Sequence, residues 1–271
     1  KLFADWLSSD WPEHADNSIN TAKPEKYCRI IFPPFSALPR GLAPPKPIAM
    51  INCSDLLLPD TGQSAHTITL IDATLYEPWL SSQPERVRAT LNAQGFKPKG
   101  YAYAIIPGEK AEDWSVVSCV ANRDSLSSWC LAKLAEVLPE GTYRVAEGPD
   151  IAPALLGWLL AQYRFDRYRK KDDALKGGCV LLTNAVAQIE PAARLARATY
   201  LVRDLVNTPT ADMGPAELEK AAEDLARSHD ATLVVTQGDT LEQHYPMIHA
   251  VGRAAARSHA PRLIELIWGK P

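Results

Sequence analysis

The stretch that decides the fold is Arg203-Asp204-Leu205-Val206-Asn207-Thr208-Pro209, followed three residues later by Met213-Gly214-Pro215. Apolar side chains recur every three to four positions over residues 191–207, which predicts a long amphipathic helix. Asn207 tolerates the left-handed conformation at a helix end, and Pro209 disfavours helical geometry at the residue before it, so we expect the helix to stop there. The stripe predicted to be buried consists of Leu195, Thr199, Val202, Leu205 and Val206.

A second helix is predicted to begin immediately after this corner. Gly214 is suited to the N-cap position and Pro215 to the first helical position, because proline lacks the amide hydrogen that would be unpaired there. Met213 is placed to pack on Leu218 as a hydrophobic staple. The motif is therefore explained as helix, corner and helix, and none of its residues needs a catalytic role.

Upstream of this motif, strand and helix patterns alternate. Residues 67–71 alternate polar and apolar side chains, as in a strand with one buried face, and residues 101–106 and 114–120 predict a hairpin. Further strands are predicted over residues 142–146 and 179–182, and helices over 84–91, 128–138 (with Trp129 on its apolar face) and 151–169. This alternation predicts an α/β fold with a mixed sheet flanked by helices, followed by the long helix and the first elements of a second α/β domain.

Composition excludes several classes of function. The chain has 271 residues and a formal net charge of -3, which argues against a strongly basic nucleic-acid surface. Five scattered cysteines without CxxC spacing predict reduced thiols and neither a disulfide framework nor a zinc knuckle. The apolar runs are too short to span a bilayer, and no signal sequence opens the chain, so we expect no membrane partner and a cytoplasmic location.

Several blocks resemble one known family. Ala154-Leu155-Leu156-Gly157-Trp158, Tyr163-Arg164-Phe165-Asp166-Arg167-Tyr168, the 203–215 stretch and Pro261-Arg262-Leu263-Ile264-Glu265-Leu266 occur in the order found in the cytosolic leucyl aminopeptidase family. The resemblance covers residues 68–268. It implies a parent metallopeptidase that releases N-terminal amino acids from peptide substrates with two divalent cations, Mn or Zn, usually as a homohexamer.

The resemblance also implies that the catalytic part is incomplete. In the family, the lysine, aspartates and glutamate that bind the metals, and the catalytic arginine, follow the region matched here. We therefore expect no catalytic, cofactor-binding or metal-binding residues in this chain, no bound cofactor, and no activity of the chain alone. The predicted organisation is an extended or disordered lead over residues 1–59, an N-terminal α/β domain over 60–185, and the linker helix with the truncated start of the catalytic α/β domain over 186–271.

Four residues are candidates for chemistry. His244 and His249 lie near Glu242, but the spacing does not fit HExxH, and Pro246 interrupts any shared helix, so a surface or partly buried pair is favoured over metal ligands. Lys270, in Trp268-Gly269-Lys270-Pro271, superficially resembles the setting of the family's catalytic lysine. However, proline replaces the expected second glycine, which favours a polar turn. The adjacent carboxylate pairs 112–113, 172–173 and 223–224 are expected on solvated edges, because neighbouring residues do not share a helix or strand face.

Three alternatives remain open from the sequence. Met50 is either the natural start of the domain or an ordinary internal methionine. The polar segment of residues 169–178 lacks a GxxxxGK[ST] pattern, and a solvated loop is favoured over a phosphate loop. Instead of part of an enzyme, the chain could be a non-enzymatic assembly module or a nucleic-acid accessory module, and its net charge disfavours the second of these.

Overall fold

The main sheet has six strands. The computed structural model describes residues 53–110, 112–169 and 178–269. The strands are β1 (Leu57–Pro59), β2 (His66–Ile71), β3 (Tyr103–Pro107), β4 (Trp114–Cys119), β5 (Gly141–Val145) and β6 (Cys179–Thr183). They lie in the order β1-β6-β5-β2-β4-β3, and all neighbours are parallel except the β3–β4 hairpin.

Helices cover both faces of this sheet. They are α1 (Tyr76–Ser82), α2 (Glu85–Ala93), α3 (Ala132–Val137), α4 (Leu155–Leu160) and α5 (Ile189–Asn207). Val116 and Val117 are consecutive in β4 and fully buried, so they point to opposite faces. Val116 belongs to the core formed with α3, α4 and α5, whereas Val117 packs in a smaller core with α2 and residues of α1. The predicted mixed sheet flanked by helices is confirmed.

The elements after α5 form a smaller group. They are α6 (Pro215–Ser228), β7 (Thr232–Gln237), α7 (Gly238–His244), α8 (Pro246–Gly252) and β8 (Arg262–Ile267). The strands β7 and β8 pair antiparallel as a two-stranded sheet. Gly214 is the N-cap of α6 and Pro215 its first residue, as predicted, and the Glu217 carboxylate accepts a hydrogen bond of 3.0 Å from the Gly214 N–H. Within the described ranges, no helix is long and apolar enough to cross a membrane.

The predicted lead ends earlier than expected. Residues Cys53–Leu56 form a helical turn, and Leu57–Pro59 pair with β6, so the prediction of an extended or disordered segment is wrong for residues 53–59. Cys53 and Leu57 are buried in the main core. Pro59 is tolerated because it lies at the end of an edge strand, where one side of the backbone needs no ladder partner. Residues 1–52, including Met50, lie outside the described residues.

The helix predicted over residues 151–169 is much shorter. A 3₁₀ turn at Ala152–Ala154 leads into α4, which ends at Leu160. Side chains replace the backbone N–H donors of the next helical turn. Gln162 Nε2 donates to the Trp158 carbonyl at 3.3 Å, and Arg164 Nη1 donates to the Ala161 carbonyl at 2.9 Å. Because these bonds satisfy carbonyl groups that a longer helix would have paired, the chain is free to turn away.

The helix predicted over residues 128–138 is also shorter, and α3 begins at Ala132. The Ser127 N–H donates to Cys130 Sγ at 3.3 Å, and the Trp129 N–H donates to Ser127 Oγ at 3.4 Å. These local side-chain bonds favour a turn in place of helix. Trp129 is 56% exposed, so its predicted place on a buried face is wrong.

Helix α5 buries the face opposite to the predicted one. The predicted stripe is largely outside, with Leu195 58% exposed and Val206 77% exposed. The residues that α5 buries are Ala192, Ala193, Ala196, Tyr200 and Asp204. Small side chains on this face allow α5 to approach the core closely, so the buried face is selected by shape. The prediction used only the spacing of large apolar residues and therefore selected the other face.

Candidate functional site

A group of polar side chains joins the end of α5 to the segment that follows α4. We call Tyr163, Arg167, Asp204, Asn207 and Thr208 the junction cluster. The Tyr163 hydroxyl donates to Asp204 Oδ1 at 2.7 Å and accepts from Asn207 Nδ2 at 3.1 Å. Arg167 Nη1 donates to Thr208 Oγ1 at 3.3 Å, and that hydroxyl donates to the Asp204 carbonyl at 2.7 Å. The cluster therefore connects segments more than forty residues apart in the sequence.

Asp204 is the buried centre of this cluster, with 8% of its surface exposed. Burial raises the pKa of its carboxyl above the ordinary value, and the nearby charge of Asp166 acts in the same direction. The hydrogen bond from Tyr163 and the positive charge of Arg167 act against this rise. Burial and the hydrogen bond to Asp204 together raise the pKa of the Tyr163 hydroxyl to about 12, so this hydroxyl stays protonated and acts as a donor at neutral pH.

Further contacts fix α5 beside the C-terminal end of α4. The Tyr200 hydroxyl donates to the Leu159 carbonyl, and Arg203 Nη1 donates to the Leu160 carbonyl at 2.9 Å. The guanidinium of Arg203 also lies over the Tyr163 ring, 5.3 Å from its centroid. Side chains of α5 thus donate to backbone carbonyl groups at the C-terminal end of α4.

Asn207 does not have the predicted left-handed backbone. It is the last residue of α5, and Thr208 follows in an extended conformation. Its contribution is the bond from its side chain to Tyr163, so the assignment of Asn207 to a helix end is confirmed and the proposed conformation is wrong. Beyond the corner, the Tyr168 hydroxyl donates to Asp212 Oδ2 at 2.6 Å.

An apolar groove adjoins the corner. Its volume is about 810 Å³, and it separates the end of α5 from α6, α8 and β8. Two of its lining side chains, Met247 and Val251, are 79% and 88% exposed. The lining residues are Leu205, Val206, Met213, Gly214, Pro215, Leu218, Met247, Ile248, Val251, Gly252, Pro261, Arg262 and Ile264. The predicted neighbours Met213 and Leu218 both line this groove.

A second cavity, of about 690 Å³, lies at the amino-terminal edge of the main sheet. His66 and Trp114 stack in its wall with ring centroids 3.8 Å apart, and His66 Nδ1 lies 3.1 Å from the Trp114 carbonyl oxygen. This cavity was not predicted from the sequence, because its lining comes from residues distant in the sequence.

The candidate metal ligands are not assembled into a ligand set. Glu242 Oε1 lies 3.8 Å from His249 Nδ1, while His244 ends α7 and Pro246 starts α8 as a separate helix. No group of three or more His, Cys, Asp or Glu residues suited to a metal occurs in the described part of the chain. Such a pair does not fit a two-metal centre, which requires several converging carboxylates. Lys270 lies outside the described residues.

The carboxylate pairs have different surroundings. Glu223 and Asp224 lie on the exposed face of α6, where both form ion pairs with Lys220 and Arg227. The hydrogen bonds from Lys220 lower the pKa of both carboxyls. Residues 112 and 113 are exposed. Residues 172 and 173 lie outside the described residues.

The order of these elements agrees with comparisons to known proteins. Residues 67–177 match the M17 aminopeptidase N-terminal domain, and residues 200–271 match the catalytic domain of the cytosol aminopeptidase family. The chain belongs to the M17 aminopeptidase family. The catalytic-domain match begins within α5, so the junction cluster combines residues from both matched regions.

Individual relatives of this M17 family member support the same assignment. The chain is 25% identical over 239 residues to a probable cytosol aminopeptidase of Wolinella succinogenes, covering 82% of this chain and 48% of the relative. It is 34% identical over 129 residues to a probable cytosol aminopeptidase of Mycobacterium leprae, covering 44% of this chain and 24% of the relative. The chain therefore spans about half the length of the first of these curated relatives and a quarter of the second.

Solved structures agree with the fold. The cytosol aminopeptidase from Coxiella burnetii superposes with a TM-score of 0.70 at 30% identity, covering 80% of this chain and 47% of that chain. The bottromycin maturation enzyme BotP, solved in complex with Mn, superposes with a TM-score of 0.58 at 21% identity, covering 77% of this chain and 46% of that chain. At this identity, the second likeness concerns the fold alone.

The corner was predicted from the sequence, but the buried polar cluster was not. A signal was present in the spacing, because Tyr200, Asp204 and Asn207 follow one another at four and three residues and so share a helix face. Asp204 shares this face, which lies opposite to the large apolar stripe. Its partner Tyr163 could not be found from the sequence, since it lies 41 residues away.

Proposed function

We propose that this chain is the N-terminal portion of a metal-dependent aminopeptidase that releases N-terminal amino acids from peptides with two divalent cations. The observation that carries the proposal is the succession of the two family matches on either side of the start of α5, in one chain and in the family's order. The function belongs to the parent protein. For this parent protein we also propose manganese or zinc as the metal, a peptide as the substrate, a homohexamer as the assembly and a cytoplasmic location.

We further propose that the chain alone is inactive. A two-metal site needs converging carboxylates that offset the dehydration of the cations, and the described residues contain no group of three or more His, Cys, Asp or Glu residues suited to a metal. We expect the family's metal ligands after the region matched here, and the chain spans about half the length of the Wolinella relative. No catalytic step is therefore assigned to its side chains.

The apolar groove supports the same proposal. A two-stranded sheet is marginal by itself, and β7–β8 carries exposed apolar side chains, among them Ile267. Exposed and contiguous apolar surface marks a contact with further polypeptide or a partner. We propose that residues 186–271 are the linker helix and the first elements of a catalytic α/β domain, preceded by an N-terminal domain that starts upstream of residue 60, at or before Cys53.

Turnover of an aminoacyl chromogenic substrate tests this function. The chain should show none with manganese or zinc, whereas a longer version that carries the rest of the catalytic domain should show chelator-sensitive turnover. A longer version that folds and binds metal but releases no amino acid would contradict the proposed activity. It would favour the alternative of a non-enzymatic assembly module. Binding of a nucleic-acid duplex would favour the accessory module instead, which the net charge of -3 disfavours.

A further inference from the structure

We infer that the junction cluster is a positioning device, which fixes the direction in which the chain leaves the N-terminal domain and so sets the placement of the catalytic half. The inference deepens the proposed function and rests on it for its role in catalysis. The geometric part, that Tyr163 and Asp204 hold the end of α5, is tested independently of any activity.

The two halves of α5 are held in different ways. Its first half packs through Ala192, Ala193 and Ala196, which are buried in the main core. Its last turn is held by Tyr163, Asp204 and Asn207 through hydrogen bonds. Apolar packing tolerates small sliding and rotation, whereas hydrogen bonds weaken steeply when distances and angles change. The polar half of the helix therefore fixes its rotation at the point where the chain leaves.

The chain has little freedom after this turn. Thr208 is tied to the Asp204 carbonyl and to Arg167, so its extended backbone is held from two sides. Pro209 has a restricted backbone, its carbonyl accepts from the Asp212 N–H at 2.9 Å, and Asp212 is held by Tyr168. From Asp204 to Asp212 the path towards α6 is thus attached repeatedly to residues 163–168.

Burial increases the energetic cost of breaking these hydrogen bonds. A buried carboxylate that loses its donor keeps the cost of desolvation, so breaking the Tyr163–Asp204 bond costs more than the bond contributes when formed. Thr208 is also buried, with 5% of its surface exposed. Alternative backbone conformations of the corner would leave the Asp204 carboxylate and the Thr208 hydroxyl without hydrogen-bond partners, so the observed conformation is favoured.

Hydrogen exchange measured by mass spectrometry on this chain tests the geometric part. Tyr163→Phe should accelerate amide exchange over residues 204–212 on the order of tenfold, the loss expected for one hydrogen bond to a charged group. The matched control is Tyr143→Phe, which removes a phenol hydrogen bond of 2.6 Å to the Pro139 carbonyl within the main core. The control should leave residues 204–212 unchanged. Equal exchange in wild type and Tyr163→Phe, or equal acceleration in both variants, would overturn the inference.

Kinetics of the complete parent test the catalytic part. Asp204→Ala should lower kcat several-fold while KM and the bound metal content are kept, because the ligand set is intact and only its placement is altered. Asp204→Asn retains an oxygen that accepts from Tyr163 and should restore most of kcat. Unchanged kcat in Asp204→Ala would overturn the positioning role. If the wild-type parent has no aminopeptidase activity, the proposed function fails, while the exchange result still decides whether the cluster holds the corner.

Discussion

The Tyr163 hydroxyl lies 2.7 Å from Asp204 Oδ1 and joins the segment after α4 to the last turn of α5 across 41 residues of sequence. Both residues belong to blocks by which the chain resembles the leucyl aminopeptidase family. The contact gives a structural reason for these blocks to occur together, since each supplies one partner of a buried hydrogen bond.

Replacement of Asn207 tests the assignment of this residue to the structure of the corner. Asn207→Ala removes the Nδ2–H donor to the Tyr163 hydroxyl, and we expect a loss of about 1 kcal/mol in the free energy of unfolding. Urea denaturation of this chain measures the loss. A complete parent enzyme with this change that melts normally and has lost all turnover would contradict a structural role and indicate a catalytic one.

Gly157 tests the close approach of α4 to the segment before α3. A Cβ atom at this position would lie 1.7 Å from the Ser128 carbonyl oxygen, which belongs to the backbone and cannot rotate away. Gly157→Ala should therefore destabilise the chain by about 3 kcal/mol or more.

Gly62→Ala is the control for this prediction. Gly62 has a φ of +86° and no atom within 4 Å of the added methyl group, so only backbone strain, about 1 kcal/mol, is expected. Similar melting temperatures for the two variants would show that the close contact at Gly157 is wrong.

The exposed face of α5 gives a third prediction. Val202 is 58% exposed, so Val202→Lys should change the free energy of unfolding of this chain by no more than about 0.5 kcal/mol. Ala196 is fully buried between α5 and the core, and Ala196→Leu should cost about 1–3 kcal/mol through overpacking. Chemical denaturation of both variants decides between the faces. A larger cost for Val202→Lys would favour the face that the sequence pattern predicted.

Two buried aspartates should respond to pH in opposite directions. Burial raises the pKa of Asp204, whose charged and titratable neighbours are Tyr163, Asp166, Arg167 and Arg203. The native state therefore keeps a proton that the unfolded chain has released, and stability declines as pH rises above about 4. The hydrogen bond from the Thr74 hydroxyl, with backbone N–H groups, lowers the pKa of Asp72, so its stabilisation is present above about pH 4 and is lost as pH falls.

Urea unfolding of Asp204→Asn and Asp72→Asn at several pH values checks this difference. The free energy of unfolding of Asp204→Asn, relative to that of wild type, should increase as pH rises from about 4 to 7, because the substitution removes a carboxyl whose charged form is costly to bury. The free energy of unfolding of Asp72→Asn, relative to that of wild type, should instead fall as pH rises towards about 4, and should change little from about 4 to 7. The same sign of pH dependence in both variants would contradict the opposite pKa directions.

The sequence predicted the strands well because their signals are local. Alternation over residues 67–71 and the paired runs of the hairpin identify β2, β3 and β4 without knowledge of their partners. Helix ends were predicted less well. Helix α4 stops where the Gln162 and Arg164 side chains donate hydrogen bonds to the carbonyl groups that a longer helix would pair. The buried face of α5 was mispredicted, because alanine carries little hydrophobic signal although it permits close packing.

The site was the least predictable part. The corner after Asn207 follows from local backbone preferences, and its position was confirmed. The pairing of Tyr163 with Asp204 depends on how α4 and α5 pack, which no spacing within either segment specifies. The groove next to the corner was likewise not predicted, although the pairing of Met213 with Leu218 pointed to apolar packing there.

Metal content measured after equilibrium dialysis tests most directly that this chain belongs to a two-metal aminopeptidase but lacks its metal site. The purified chain and a longer version with the rest of the catalytic domain are dialysed against manganese or zinc, and bound metal is measured by elemental analysis. We expect no stoichiometric metal in the chain and two ions per chain in the longer version. Two tightly bound ions in the 271-residue chain, together with chelator-sensitive turnover, would contradict this and direct attention to His244, His249 and Lys270.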